Sequence, residues 1–365
     1  MQWIPEYLVR NVTYSNDAQT LYIDLPKNEQ ISFLHLEISA QNFAGALTTT
    51  TLIDAIDSYQ VMADGSGVLY NLEPELAYYI DFITHGGIYP PHFFNYAPNA
   101  RCGHQFIIPF GRYEFDEEYM LDTARYKDVQ LRIPYNIPAA RHATGTFRVN
   151  CVMYRPLSKL SPVGFIRSRL VRKEACSAAA QTVMHDLPMS YPLRYVAARF
   201  EDLDKNITTN LTSMKVNIDE GRLVLADLLS NEWRDRDKVR YPDVSGYKIL
   251  GALSNATMVK AHTDYPFPRS IVSSGVRALI FKLYWAIGEQ VGLNVYEQDG
   301  TVVGDSHAVD IHVSGPNPHK CLTVIDGRAS PFPAPSYSQG KIEYTVASNQ
   351  PTIHTFVQEV VAGRL

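Results

Sequence analysis

Only four cysteines occur in 365 residues, Cys102, Cys151, Cys176 and Cys321, and no two stand in a CxxC spacing. Scattered in this way they supply neither a disulfide framework nor a zinc knuckle, and they are expected to be reduced and buried. No apolar run approaches the roughly 20 residues that a membrane-crossing helix needs. The start, MQWIPEYLVRN, lacks a basic stretch followed by an apolar one, so no secretory leader is expected. Positive charge is not in excess either: 33 Lys and Arg stand against 38 Asp and Glu, a net charge of −5. That balance gives no bulk attraction to nucleic acid or to an anionic membrane.

Catalytic groupings are equally scarce. There is no Walker loop and no dinucleotide fingerprint. The H-x-H pair of a cupin-type metal site is missing. Cys102-Gly103-His104 and the pair His307 and His312 come nearest, and neither has a second ligand pair at metal-site spacing. Asp116, Glu117 and Glu118 are adjacent, whereas a glycosidase needs two carboxylates facing each other across a sugar. Asp116 suits a helix N-cap ahead of EEYMLDTARY better. Ser66 lies in DGSG, which is turn chemistry and not a G-x-S-x-G elbow. No catalytic activity, cofactor or metal is expected.

What is present is strand. Tyr numbers 23 and Phe 15, and aromatic and β-branched side chains fit a pleated, half-buried surface. Ile31–Ser39 (ISFLHLEIS) alternates at period two; His104–Phe110, Val129–Tyr135 and Gly145–Tyr154 read as further strands. Helix is limited to Leu72–Phe82, with Pro74 in its first turn, and to the stretch after Asp116.

One phrase is written twice. VMADGSGVLYNL begins at Val61 and VNIDEGRLVLADL at Val216; each runs through a short alternating strand, turns on Asp and Gly, and returns apolar. Asp64-Gly65 is the signature of a hairpin turn. Other stretches follow suit: RYVAARF (Arg194–Phe200) stands where FLHLEIS stood, YPFPR matches IPFGR, ALIFKLYW matches VQLRIPYN, and GKIEYTV matches GTFRVNC. Two copies of one β-domain are therefore expected. Residues 1–157 form the first, with a short N-terminal arm. Residues 158–190 form a basic linker containing a short helix, and residues 191–365 form the second copy, with a long loop insertion at about 292–338. Eight strands in two sheets per copy is the jelly-roll arrangement. The fold class is all-β: two consecutive eight-stranded jelly-roll sandwiches with a few short connecting helices.

The linker carries the strongest local charge. Six basic residues and no acid lie between Arg155 and Lys173. Arg167, Arg169, Arg172 and Lys173 are the candidate contacts to nucleic acid or lipid head groups. The alternative is a solvated face, or Arg stems packed over a domain joint.

The repeat, the central linker and the missing catalytic groups together resemble the double jelly-roll major capsid proteins of the PRD1–adenovirus lineage, from tailless icosahedral viruses of bacteria or archaea. The paired phrases ADGSGVLYNL and IDEGRLVLADL, the IPFGR stretch and the division into near-equal halves carry the resemblance, from about Leu21 to Val361. It implies a structural protomer whose homotrimers, hexagonal in outline, tile an icosahedral shell. Implied partners are neighbouring capsomers, minor capsid, penton or spike proteins, and an internal membrane or the genome. The implied location is the virion, after synthesis in the host cytoplasm, with the 292–338 insertion as an outer tower. A minor spike or fibre-base component would share the same folds. A different reading is a carbohydrate-binding or glycan-processing protein of two sandwiches, using Tyr78, Tyr79, Tyr89, Phe93, Phe94 and Tyr96 to stack on sugars.

Overall fold

Alternation along the chain is what builds the sheets. In a computed structural model, described at residues 2–43, 52–85, 92–93, 99, 101–139, 142–201, 211–240, 249–251, 292–296, 308–312, 321–347 and 351–362, the strand Val129–Tyr135 is buried at every second residue. Gly340–Val346 shows the same alternation. Each strand thus offers one face to a core and one outward.

The first half contains β1 (Trp3–Tyr14), β2 (Gln19–Asp24), β3 (Gln30–Ile31), β4 (Phe33–Gln41), β5 (Tyr59–Ala63), β6 (Gly67–Leu72), helix α1 (Pro74–Thr84), β7 (His92–Phe93), β8 (Arg101–Pro109), β9 (Leu121–Asp122), β10 (Val129–Tyr135) and β11 (Phe147–Pro156). One sheet runs β1-β11-β4-β8-β7, and its partner opens with β2-β10-β5-β6. The second half contains β12 (Phe165–Ala175), β13 (Thr182–Leu187), β14 (Leu193–Glu201), β15 (Leu211–Ile218), β16 (Leu223–Leu229), helix α2 (Ser230–Arg240), β17 (Ile249–Gly251), β18 (Gly292–Tyr296), β19 (Ala308–His312), β20 (Cys321–Asp326), β21 (Gly340–Val346) and β22 (Thr352–Val361). Its sheets run β12-β22-β14-β20 and β13-β21-β15-β16. Over eight strands, four in each sheet, the order of the second half reproduces that of the first. Each half is an eight-stranded jelly roll.

The two hairpins carrying the repeated phrase match down to an irregularity. β5 pairs with β6 through Val61–Tyr70 and then Met62–Val68, leaving Leu69 as a bulge. β15 pairs with β16 through Val216–Ala226 and then Asn217–Val224, leaving Leu225 as a bulge. The first turn has positive φ at Asp64 (51°) and Gly65 (77°); the second has it at Asp219, Glu220 and Gly221. Asp and Gly are the residues that accept that backbone most readily.

Five expectations change. The expected linker helix is strand: Phe165–Ala175 is β12, because its apolar residues pair into a sheet with β22 along ten partners. The expected N-terminal arm is mostly strand as well, β1 lying along β11 from Trp3. The stretch after Asp116 forms β9 and a three-residue turn of 3₁₀-helix at Thr123–Arg125, not an α-helix. The expected insertion at 292–338 overlaps β20, whose residues Cys321–Ile325 are all buried. In the second half the long connection instead lies between α2 and β20, where β17, β19 and β18 form a small sheet. GKIEYTV is β21, the counterpart of VQLRIPY (β10), not of GTFRVNC. YPFPR and ALIFKLYW lie outside the described residues.

Candidate assembly surfaces

The two jelly rolls are joined by one continuous sheet. β6, the last hairpin strand of the first roll, pairs parallel with β12, the first strand of the second, placing Ser168 opposite Tyr70 and Arg169 opposite Asn71. Alternation then assigns faces. On β14, Val196, Ala198 and Phe200 point into the second core, while Tyr195 and Ala197 belong to the core of the first roll, as do Cys321 and Phe356. Helix α1 covers that outer face. The Tyr79 ring stands edge-on to Phe356 at 5.8 Å. Its hydroxyl lies 2.8 Å from that of Tyr195, which lies 2.7 Å from Thr323 Oγ1.

Around this apolar joint lies a set of ion pairs. Glu359 is fully buried and accepts from Arg167 Nε at 2.7 Å and Arg169 Nε at 2.9 Å. Glu73, at the start of α1, accepts from Lys173 Nζ at 2.8 Å and lies 2.8 Å from His354 Nδ1. Burial raises the Glu73 carboxyl, but its bonds to His354 and Lys173 outweigh that and hold it at about 2. Arg194 is buried, donates to the Arg112 carbonyl at 2.7 Å and to Gln358 Oε1, and is lowered to about 10 by loss of solvent. Arg112 in turn forks onto Asp116 at 2.8 and 3.0 Å. Charges taken out of water are costly unless paired; Glu359, Glu73 and Asp116 are ion-paired, and Arg194 is held by neutral oxygens.

The four cations read from the sequence thus sit together on β12. Arg167 and Arg169 share Glu359, Lys173 meets Glu73, and Arg172 meets Glu174 at 2.5 Å. Glu174 is two residues from Arg172, but the other acidic partners were not legible, since Glu359 lies 192 residues from Arg167 and Glu73 lies 100 from Lys173.

The metal and sugar candidates do not converge. Among the described residues no three His, Cys, Asp or Glu side chains group as metal ligands. All four cysteines are free and buried, and burial pushes the thiols of Cys102 and Cys151 up to about 12. His104 is buried beside the Tyr59 hydroxyl at 3.1 Å; His307 lies outside the described residues. Tyr78 and Tyr79 are buried in the core, so neither presents a face to a ligand. Tyr89, Phe94 and Tyr96 lie outside the described residues. A pocket of about 260 Å³ lined by Gln41, Asn99, Arg101, Thr146 and Arg148 offers no aromatic ring for a sugar.

Exposed apolar groups cluster instead on the first roll. Trp3, Phe33, Phe115 and Tyr154 form a ring cluster with centroids 4.4–5.9 Å apart, and Phe115 is 38% exposed. Tyr7 and Tyr113 are more than half exposed beside it in sequence. On the second roll, β16, the last strand of its sheet among the described residues, exposes Val224, Leu225 and Leu229. Such surfaces mark contacts with other chains.

No protein-family model matches the chain, and no curated protein matches its sequence. Solved structures do match in fold over nearly the full length. The STIV MCP is similar with a TM-score of 0.61 at 10% identity, covering 99% of this chain and 97% of that one. The major capsid protein P2 from bacteriophage PM2 gives 0.51 at 10% identity, covering 98% of each chain. The PBCV-1 virus capsid gives 0.53 at 7% identity, covering 98% and 94%. At these identities the likeness is one of fold, and the fold is the double jelly roll.

Proposed function

We propose that this chain is the structural protomer of a viral capsid, a non-enzymatic building block whose homotrimers, hexagonal in outline, tile an icosahedral shell. The observation that carries the reading is the duplication: two jelly rolls joined through one continuous sheet, a fold shared over nearly full length with structures named as capsid proteins. Two such rolls per chain make a sixfold outline from three chains, and exposed apolar edges remain available for lateral contact. Neighbouring capsomers are then the first partners, with penton, spike or minor capsid proteins at special positions, and the virion is the location. Contact of β12 with interior lipid or genome would require Arg167, Arg169, Arg172 and Lys173 to exchange carboxylate partners for phosphates. The solution mass of the purified protein, measured by light scattering during gel filtration, tests the proposal. Three protomers are expected; a monomer at micromolar concentration across salt conditions would overturn it.

A further inference from the structure

The pocket on the first roll is lined by polar side chains alone, and two of the five, Arg101 and Arg148, are cations. Strand pairing explains why they meet. On β4, Ile38 and Ala40 lie in the core, so Ser39 and Gln41 face outward. Ser39 stands opposite Arg148 on β11 and opposite Gly103 on β8, and Gln41 stands opposite Arg101. Phe147, Val149 and Cys102 are core residues, so Arg148 and Arg101 project from the same outer face. The small residues Ser39 and Gly103 lie between the two long side chains and leave a hollow there.

The walls of the hollow are fixed before any ligand arrives. Gln41 N donates to Thr146 Oγ1 at 3.1 Å, and that hydroxyl donates to the Ala143 carbonyl at 2.6 Å. Gln41 Nε2 donates to the Asn99 carbonyl at 3.0 Å, and Arg101 Nη2 to Ser39 Oγ at 3.1 Å.

Negative charge is what the pocket lacks. Neither Arg101 nor Arg148 has an ion-pair partner among the described residues. Glu37, the acid on the same face of β4, is engaged by Asn150 Nδ2 at 2.9 Å. The joint between the rolls shows the completed arrangement, where Arg167 and Arg169 close on the single carboxylate of Glu359. Two guanidinium groups side by side repel until an anion joins them, and their planar forks match the oxygens of a phosphate or sulfate.

We propose that this pocket is an oxyanion site, which takes one phosphate or sulfate group between Arg101 and Arg148, with Gln41 and Asn99 at its rim. Recognition is by charge, not by ring stacking. Both arginines are exposed, so the group can enter from solvent as a free ion or as an ester carried on a sugar. The site lies where β4 ends and β8 begins, whereas the linker meets the opposite end of the roll, Leu160 bonding to Gln30. The inference does not depend on the capsid reading.

Isothermal titration calorimetry on the full chain, at low salt in a buffer free of phosphate, tests it with three probes: inorganic phosphate, a sulfated disaccharide and the same disaccharide without sulfate. Phosphate or the sulfated sugar is expected to bind with a Kd of about 1 mM or tighter. R101Q/R148Q should weaken that binding at least tenfold, and R172Q, which removes a half-exposed cation on β12, should leave it unchanged. R148Q alone removes a guanidinium with no hydrogen-bond partner among the described residues, so its loss of binding at an unaltered thermal midpoint separates the site from the fold. Tighter binding of the sulfated sugar than of phosphate supports an ester on a sugar as the ligand; the reverse order supports the free ion. No binding of either anion, equal binding of the sugar without sulfate, or equal weakening by R172Q would overturn the site.

Discussion

Asp81 and Asp237 hold the same position in the two halves of the chain. Each is buried in the helix that follows the hairpin, and each accepts a backbone N–H from the facing strand, that of Ile107 or of Thr323. The partners are 26 residues apart in the first half and 86 in the second. The duplicated fold therefore kept its helix-to-sheet latch while the second copy lengthened the connection between helix and strand. Loops of that kind are where a scaffold admits length. Asp81→Ala and Asp237→Ala are each expected to cost about 1–3 kcal/mol, the penalty of a buried donor left without its acceptor. The shift in urea unfolding midpoint measures it.

Glu359→Gln removes the one carboxylate that faces both Arg167 and Arg169. With Glu359 fully buried, the loss is expected to be about 3 kcal/mol, as for other broken buried pairs. Arg172→Gln touches only a half-exposed cation and is expected to change stability by less than about 1 kcal/mol. Equal effects from the two variants, by denaturant titration, would contradict the view of β12 as part of the joint.

Acid should destabilise the fold in two stages. His185 is buried, lies 2.6 Å from Thr355 Oγ1, and burial with the nearby Arg172 lowers it to about 4. Its ordinary value is higher, so the unfolded chain takes up the proton first and stability falls between about pH 6.5 and 4. Glu73, held at about 2 against an ordinary 4.5, loses its contribution as pH falls through that lower range. His185→Gln should flatten the upper stage and Glu73→Gln the lower one, read from thermal midpoints against pH.

Gly164 marks the crossing of the linker and the end of β22. A Cβ there would meet the Val361 carbonyl oxygen at 2.1 Å, its carbon at 2.9 Å and Ala362 Cα at 3.1 Å, all backbone. Neither neighbour is a flexible side chain, so the strands must part. Gly164→Ala is expected to destabilise by about 1–3 kcal/mol. By contrast, Gly145→Ala has open space around it and pays only for its φ of 71°. The ratio of the two thermal shifts checks this.

Local chemistry was legible where it is local. Period-two burial gave β10 its limits at Val129 and Tyr135, Pro74 marked the first turn of α1, and the Asp-Gly phrases located both hairpins. β12 misled because FIRSRLVRK has no strict alternation: it is buried on one face by the first roll and on the other by its own. Its run into ACSAAA adds helix-favouring alanine. β20 was lost because its strand follows a Gly- and Pro-rich stretch, whose composition says loop even where CLTVI is core. The ion pairs at the joint depend on carboxylates far away in sequence, and only the fold brings them to β12.

Electron microscopy of the purified, negatively stained protein tests the central claim most directly. Class averages with a hexagonal outline made of six similar lobes from three chains are the expected result. Isolated two-lobed particles, persisting at high protein concentration, would contradict the capsid protomer.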